Sequence, residues 1–116
     1  MDQYTEHRPW GSFTILADED NFKAKRLDVL AGKRLSLQSH NRRSEHWIIT
    51  SGQARITIGD DILDYTQGAH LFVPQYAKHR IENIGDVLLT IIEVQLGDYF
   101  GEDDIVRYAD DFDRQL

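Results

Sequence analysis

The fold is decided by one stretch, residues 34–52, which reads RLSLQSHNRRSEHWIITSG. It begins with alternating side chains up to His40, crosses a polar turn, and continues from Glu45 as an aromatic and β-branched run that stops at Ser51-Gly52. Alternation with a period of two is typical of β-strands, and a glycine after such a run marks a turn. The stretch therefore predicts two antiparallel strands joined by a polar turn.

The same pattern continues outward over about residues 22–96. Short alternating or apolar segments recur between turns that contain glycine or proline, at residues 23–30, 54–58, 62–65, 70–73, 79–82 and 87–96. Short strands at this spacing indicate an all-β sandwich or barrel. We expect one domain over residues 1–116, with its core barrel at about 22–96, a short arm at each end and a single helical turn near residues 102–108.

Composition and charge exclude several classes of function. The net charge of −7 argues against non-specific binding to nucleic acid or to anionic membranes. Cysteine is absent, which removes disulfides and thiolate ligands. No signal peptide is visible, and the longest apolar stretch is far below the roughly 20 residues that cross a bilayer. We expect a cytoplasmic protein, and a homodimer because pairing protects exposed edge strands.

Four polar residues on the predicted strands form a candidate metal site. Gln38 and His40 point to the same face, Glu45 lies across the polar turn, and His79 begins another strand after Pro74. Two imidazoles, a carboxylate and an amide oxygen suit one divalent metal of the group Zn, Mn, Fe, Co or Ni. Without a thiolate, an open site that keeps positions for water or substrate is expected rather than a closed structural zinc site.

Alternation also predicts which side chains share the face of the metal. We expect Lys25, Arg34, Ser36, Glu93 and Gln95 on that face. A buried charge costs several kcal/mol unless it is paired, so Lys25 and Glu93 are expected to pair with each other, with solvation at the rim as the alternative. The Arg42-Arg43 pair is interpreted as a solvated turn, and His46 is expected to face away from the metal.

Two motifs connect this pattern to a known family. Residues 32–52 resemble the first cupin motif, G-x5-H-x-H-x4-E-x6-G, with Gln38 in place of the first histidine. Residues 68–83 resemble the second, G-x5-P-x-G-x2-H-x3-N, with Tyr76 in place of the middle glycine, which implies a different turn or strain beside His79. Further segments at 8–13, 93–95 and 101–107 extend the resemblance, over almost the whole chain, to the type II mannose-6-phosphate isomerases.

The resemblance implies a fold and an activity. The fold is an all-β, single-domain cupin, which is a double-stranded β-helix or jelly-roll barrel. The activity is aldose–ketose isomerisation of a sugar phosphate, from mannose 6-phosphate to fructose 6-phosphate, with the metal stabilising the enediolate as a Lewis acid. In that family the cupin often follows a guanylyltransferase domain. None is visible in these residues, so nucleotidyl transfer is not expected.

Such a reaction needs a general base and cations for the phosphate. Glu93 is the first candidate for the base and Glu45 the second, and Lys25 is the other candidate catalytic residue. The candidates for binding the substrate are Arg34, Arg80, Arg8 and Arg107. Two alternatives remain open because cupins host many chemistries: a non-catalytic cupin that binds a metal or a sugar, and an Fe-dependent oxygenase.

Overall fold

The computed structural model describes residues 3–112, which form eleven β-strands in two antiparallel sheets. The strands are β1 (Tyr4–Arg8), β2 (Gly11–Asp18), β3 (Phe22–Val29), β4 (Leu37–Ser39), β5 (Arg43–Ser51), β6 (Ala54–Ile58), β7 (Asp61–Tyr65), β8 (His70–Val73), β9 (His79–Asn83), β10 (Leu89–Gly97) and β11 (Val106–Ala109). This architecture confirms the predicted all-β barrel. Within the same residues, no helix is long and apolar enough to cross a membrane.

The two sheets face each other across the core. One has six strands in the order β1-β2-β3-β10-β5-β8, and the other has five in the order β11-β4-β9-β6-β7. The inward positions of the facing strands are almost wholly buried and mostly large: Trp47, Ile49, Ile56, Ile81, Leu89 and Ile91. These residues alternate along their strands with more exposed ones, as a sheet with one buried face requires.

One glycine of the first motif is required both by its backbone angle and by a close contact with another part of the chain. Gly52 ends the hairpin between β5 and β6 with a φ of 93°. A Cβ built on Gly52 would lie 2.8 Å from the carbonyl oxygen of Leu88, well inside van der Waals contact. Only glycine combines this positive φ with such a close approach of two backbones. The motif glycine is therefore a requirement of the turn.

Within residues 3–112, the predicted arms are part of the sheets, whereas residues 1–2 and 113–116 lie outside the described residues. Tyr4–Arg8 and Gly11–Asp18 form β1 and β2, and β2 pairs with β3 from Gly11 to Asp18. Trp10 and Phe13 are buried in the core, as the side chains of a docked segment would be. The predicted helical turn near residues 102–108 is wrong, because the chain there runs through turns into β11, which pairs with β4.

Tyr76 carries the strain that its position in the second motif predicts. Its φ is 73°, and among the residues described it is the single non-glycine residue with a positive φ. Its backbone N–H donates to the carbonyl of His40 at 2.9 Å, which ties the turn to the candidate metal site. The left-handed conformation costs a residue with a Cβ about 1–2 kcal/mol.

Replacing Tyr76 with glycine should stabilise the protein by about 0.5–1 kcal/mol. Glycine removes the free-energy cost of the left-handed backbone, but part of this gain is lost because glycine has a larger conformational entropy in the unfolded chain. The exposed tyrosine ring contributes little burial. Urea unfolding measures the change. Tyr76→Ala is the matched control, since it removes the ring but keeps the Cβ. An equal gain in both variants would contradict the role of φ.

Candidate metal centre

The strands bring three of the predicted ligands to one place. His40 follows β4, Glu45 lies in β5, and His79 begins β9, where it is the partner of Gln38 in the β4–β9 register. One ligand atom each from His40, Glu45 and His79 can be chosen so that all lie within 4.8 Å of one another. All three side chains are buried. The structure therefore brings together the His, Glu and His members of the predicted four-residue site.

The second nitrogen of each imidazole is held by a backbone carbonyl. His40 Nδ1 lies 2.6 Å from the carbonyl oxygen of Asp104, and His79 Nδ1 lies 3.0 Å from that of Ala77. A carbonyl only accepts hydrogen bonds, so both Nδ1 atoms carry the proton and both Nε2 atoms present a lone pair. Metal-binding histidines are oriented in this way by outer partners. The donor set fits a divalent metal.

Burial keeps these imidazoles neutral. It lowers the pKa of His40 to about 4, and the positive charge of Arg43 acts in the same direction. Burial also lowers the pKa of His79 to about 4, against the opposing hydrogen bond to Ala77. A neutral imidazole is the form that binds a metal. At neutral pH the site therefore needs no proton release from its histidines before it can accept an ion.

Gln38 lies beside this group, but its contact is with a neighbour. Its Nε2 donates to Ser36 Oγ at 2.9 Å, and the side chain lines the same cavity. The orientation leaves the amide oxygen as the part that could bind a metal. Its role as a fourth ligand stays a prediction.

The cavity above the candidate ligands carries an excess of cations. Its charged lining consists of the five basic residues Arg8, Lys25, Arg43, Arg80 and Arg107 and the three acidic residues Glu45, Glu93 and Glu102. Burial and the nearby Glu45 carboxylate raise the pKa of Glu93 to about 7, which reduces the negative charge further. A positive cavity in a chain of net charge −7 is a local arrangement that favours an anion.

Lys25 and Glu93 face the cavity as predicted, but they do not pair with each other. They are opposite in the β3–β10 register and are only 3% and 5% exposed, so solvation at the rim is also excluded. Lys25 Nζ bonds instead to Glu102, which the segment after β10 carries over the cavity. Glu93 accepts from Trp47 Nε1 at 3.2 Å and from Gln95 Nε2 at 2.8 Å. The predicted Lys25–Glu93 pair is therefore wrong.

The four arginines predicted to bind substrate separate into two groups. Arg8, Arg80 and Arg107 line the cavity. Arg34 does not: its guanidinium donates to both carboxylate oxygens of Asp111, at 2.7 and 2.9 Å. The prediction extended the alternation of Gln38 back to residue 34, whereas β4 begins only at Leu37. Ser36, just before β4, still lines the cavity as predicted, but the alternation no longer holds at Arg34.

Arg80 also has a structural task. Its Nε donates to the carbonyl of Leu35 at 2.9 Å, and its Nη2 donates to that of Ala109 at 3.3 Å. Burial lowers its pKa. Arg80 therefore holds the chain before β4 and the end of β11 against β9, in addition to lining the cavity.

Arg43 is the site residue that sequence reasoning missed. It is not a solvated turn residue but is 6% exposed and lies at the centre of the site. Its Nε donates to Glu45 Oε2 at 2.8 Å, and its Nη2 donates to His40 Nε2 at 3.1 Å. The structure begins β5 at Arg43, so Arg43 shares the inward face with Glu45 and Trp47. Extending the alternation two residues back from Glu45 would have found it.

The segment after β10 closes one side of the site. The Asp104 carboxylate accepts from the backbone N–H of Asn41 and of Arg42, both at 3.0 Å, while its carbonyl accepts from His40. Phe100 is buried just before it. The polar turn that precedes Glu45 is therefore held in place from the C-terminal side of the chain.

Replacing Trp47 with phenylalanine should weaken Mn²⁺ binding about tenfold, a typical effect of removing an outer partner of a metal ligand. Trp47 Nε1 donates to the candidate ligand Glu45 at 3.0 Å and also to Glu93 at 3.2 Å, and phenylalanine keeps most of the packing without this N–H. Isothermal titration calorimetry measures the change. Trp10→Phe is the control, because Trp10 is the other buried tryptophan that lines the cavity, while the bond to Glu45 comes from Trp47. Equal affinities in the two variants would contradict the role of this bond.

The sequence of this chain is similar to one family model and to several larger proteins. The family model described as mannose-6-phosphate isomerase, C-terminal, matches residues 2–110. The xanthan biosynthesis protein XanB of Xanthomonas campestris pv. campestris is 44% identical over 108 residues, which cover 93% of this chain and 23% of that protein. A mannose-1-phosphate guanylyltransferase of Sinorhizobium fredii is 44% identical over 104 residues, which cover 90% of this chain and 20% of that protein. The chain thus spans about a quarter or less of the length of these relatives.

Solved structures confirm the cupin fold. The cupin domain of Schizosaccharomyces pombe Cnp3 has a TM-score of 0.72 at 19% identity, covering 75% of this chain and 64% of that one. Bacillus subtilis oxalate decarboxylase, a protein with Mn(II) centres, has a TM-score of 0.78 at 25% identity, covering 90% of this chain and 30% of that one.

The names of the relatives overturn the predicted activity. They refer to guanylyl transfer to mannose 1-phosphate and to polysaccharide biosynthesis, not to aldose–ketose isomerisation. They also support neither the non-catalytic alternative nor the Fe-dependent oxygenase. The motifs specify a barrel and a ligand set, and many reactions use such a set, so they did not determine the reaction.

Proposed function

This chain belongs to the cupin family of mannose-6-phosphate isomerase C-terminal domains, and from this premise we propose that it serves mannose-1-phosphate guanylyl transfer in polysaccharide biosynthesis. Within that reaction, the metal and the cations of the cupin would hold the phosphorylated mannose, the sugar substrate of the transfer. The observation that carries the proposal is the buried His40–Glu45–His79 group, which opens on a cation-lined cavity. The relatives named for this reaction match over nine-tenths of the chain.

The charge of the cavity supports an anionic sugar as the ligand. Lys25, Arg8 and Arg107 come from three different strands or their ends and line one cavity with the metal group. Guanidinium groups suit phosphate because their donors form a planar fork, and a lysine adds a compact charge. Three cationic side chains from separate parts of the chain favour a phosphate over a neutral sugar.

The proposed metal would be bound by His40, Glu45 and His79, with Gln38 as the proposed fourth ligand. It would supply a Lewis acid close to the phosphate and hydroxyl oxygens of the ligand. Nitrogen and oxygen ligands accept Zn, Mn, Fe, Co and Ni. We propose Mn²⁺ as the first ion to test, because the similar oxalate decarboxylase has Mn(II) centres.

Binding of mannose 1-phosphate tests the ligand. Calorimetry is carried out with each of the five candidate metals, Zn, Mn, Fe, Co and Ni, and with at least one of them it should show binding of mannose 1-phosphate that disappears on chelation. Mannose without the phosphate should bind at least tenfold more weakly, since it lacks the group that the cations recognise. Absence of mannose 1-phosphate binding with each of the five metals would contradict the proposal.

Guanylyl transfer itself is tested with a relative as the partner. The Xanthomonas relative is produced without the region that matches this chain, and pyrophosphate release from GTP and mannose 1-phosphate is followed. Adding this chain should raise the rate or lower the KM for mannose 1-phosphate. The control is a His79→Ala chain. A rate that neither chain changes would contradict the proposed role in this reaction.

A further inference from the structure

The guanidinium of Arg43 lies where a metal would meet two of its ligands. Its Nε donates to Glu45 Oε2 at 2.8 Å and its Nη2 to His40 Nε2 at 3.1 Å. His40 Nε2 and Glu45 Oε2 are themselves only 3.4 Å apart, so one fork of the guanidinium spans both. The arginine is therefore bound to the same two side chains that the metal site requires.

The arginine and a metal compete for the same electron pair on His40. Because Nδ1 of His40 donates to the Asp104 carbonyl, Nε2 has a single lone pair, and Arg43 uses it. An ion that binds His40 through Nε2 must take the place of the Arg43 hydrogen bond. The same ion adds positive charge beside a guanidinium, which favours movement of the guanidinium away from it.

The third guanidinium nitrogen of Arg43, Nη1, lacks a hydrogen-bond acceptor in the part of the chain that the structure describes. Nη1 is buried and has no hydrogen-bond partner among residues 3–112. A buried donor without an acceptor costs about 1–3 kcal/mol, and native structures rarely keep one without a reason. Arg43 lines the cavity in which the anion is expected. An oxygen of a bound anion would satisfy this nitrogen.

We propose that Arg43 exchanges partners: it holds His40 and Glu45 while the metal is absent, and binds the phosphate group of the ligand once a metal has taken them. This inference rests on the proposed function, because it concerns the same metal and the same class of ligand. Its consequence is that metal and phosphate bind cooperatively. Linkage requires each to strengthen the binding of the other by the same factor.

Calorimetry with Mn²⁺ and inorganic phosphate tests the coupling. Wild-type protein should bind phosphate about tenfold more tightly when it is saturated with Mn²⁺, since the freed guanidinium can donate two hydrogen bonds to one phosphate. Arg43→Met should bind Mn²⁺ about three- to tenfold more tightly than wild type, because it lacks the competing cation, and should lose the gain in phosphate affinity. Arg42→Met is the matched control: Arg42 is the exposed neighbour and pairs with Asp98, so both values should equal those of wild type.

Several results would overturn the proposal. One is a folded Arg43→Met, verified by circular dichroism, that binds Mn²⁺ no more tightly than wild type. Another is an equal phosphate affinity of wild type with and without Mn²⁺. A third measurement needs no variant: the Arg43 Nε–H resonance should shift when Zn²⁺ saturates the protein, and an unchanged resonance would exclude the exchange of partners.

The outcome separates this inference from the proposed function. If mannose 1-phosphate binds in a metal-dependent way equally well in wild type and Arg43→Met, the role of Arg43 is wrong while the function stands. If Mn²⁺ and phosphate are coupled through Arg43 but mannose 1-phosphate binds no better than phosphate, the role of Arg43 stands and the sugar ligand is wrong.

Discussion

Replacing His79 with alanine should lower the affinity for Mn²⁺ and Zn²⁺ by about 100-fold or more. His79 is one of the three side chains whose ligand atoms converge within 4.8 Å, and its Nδ1–H bond to Ala77 directs Nε2 at the site. With the imidazole gone, two protein ligands from this group remain, and a divalent metal is held weakly by two. Calorimetry with each ion measures the loss directly.

The matched control is His70→Ala. His70 is exposed and contacts His46 at 3.3 Å on the outer face of the β5–β8 pair, away from the cavity. Its removal should leave metal affinity unchanged. Since His79 is buried, circular dichroism must first show that the His79 variant keeps its fold. A folded His79→Ala chain with wild-type metal affinity would show that the metal binds elsewhere.

Replacing Asn83 with alanine should lower the free energy of unfolding by about 3 kcal/mol. Asn83 is buried, and its Nδ2 donates to the carbonyls of Val29 and Val87, both at 2.8 Å. Its Oδ1 accepts from the backbone N–H of Gly85 at 2.9 Å. Alanine would leave the buried carbonyl of Val29, the part-buried carbonyl of Val87 and the N–H of Gly85 without this partner, at about 1 kcal/mol each. Urea unfolding gives the difference.

The control for this substitution is Asn41→Ala. Asn41 is exposed, and the interactions that hold its turn are made by its backbone, with Asp104 and Gln75. Its truncation should change stability by less than about 0.5 kcal/mol. A loss below 1 kcal/mol in Asn83→Ala would show that water replaces the lost side-chain bonds. The asparagine that ends the second motif would then not be a structural tie between β9, β3 and β10.

Alternation along the strands predicted the interior well where the strands are long. Lys25 in β3 and Glu93 and Gln95 in β10 are buried, as expected, and the same alternation buries Leu27, Val29 and Leu89 with them. The rule is local: successive side chains of a strand take opposite faces whatever the rest of the chain does. It failed at the strand ends. Arg34 lies before β4, and Arg43 is the first residue of β5, where the sequence suggested a turn.

Contacts between distant segments could not be predicted in this way. Glu102 reaches Lys25, and Asp104 holds His40, although 77 and 64 residues separate the partners. Nothing in the local pattern of residues 101–105 indicates which surface they cover. The expected helical turn was drawn from local signals alone, whereas pairing of β11 with the short strand β4 decided the actual structure.

The sequence predicted an all-β barrel and the His40, Glu45 and His79 group, because glycine turns and period-two strands act through local backbone geometry. That the barrel is a cupin followed from the resemblance of its two motifs to that family. The tertiary structure alone decided what surrounds the His40, Glu45 and His79 group. Arg43 donates hydrogen bonds to both His40 and Glu45. Lys25 pairs with Glu102, and Arg34 pairs with Asp111. Charged side chains pair with whichever partner the packed chain brings within reach, and that partner can come from any point along the sequence. For the buried Arg43 and Lys25 a partner is required, because an unpaired buried charge is costly.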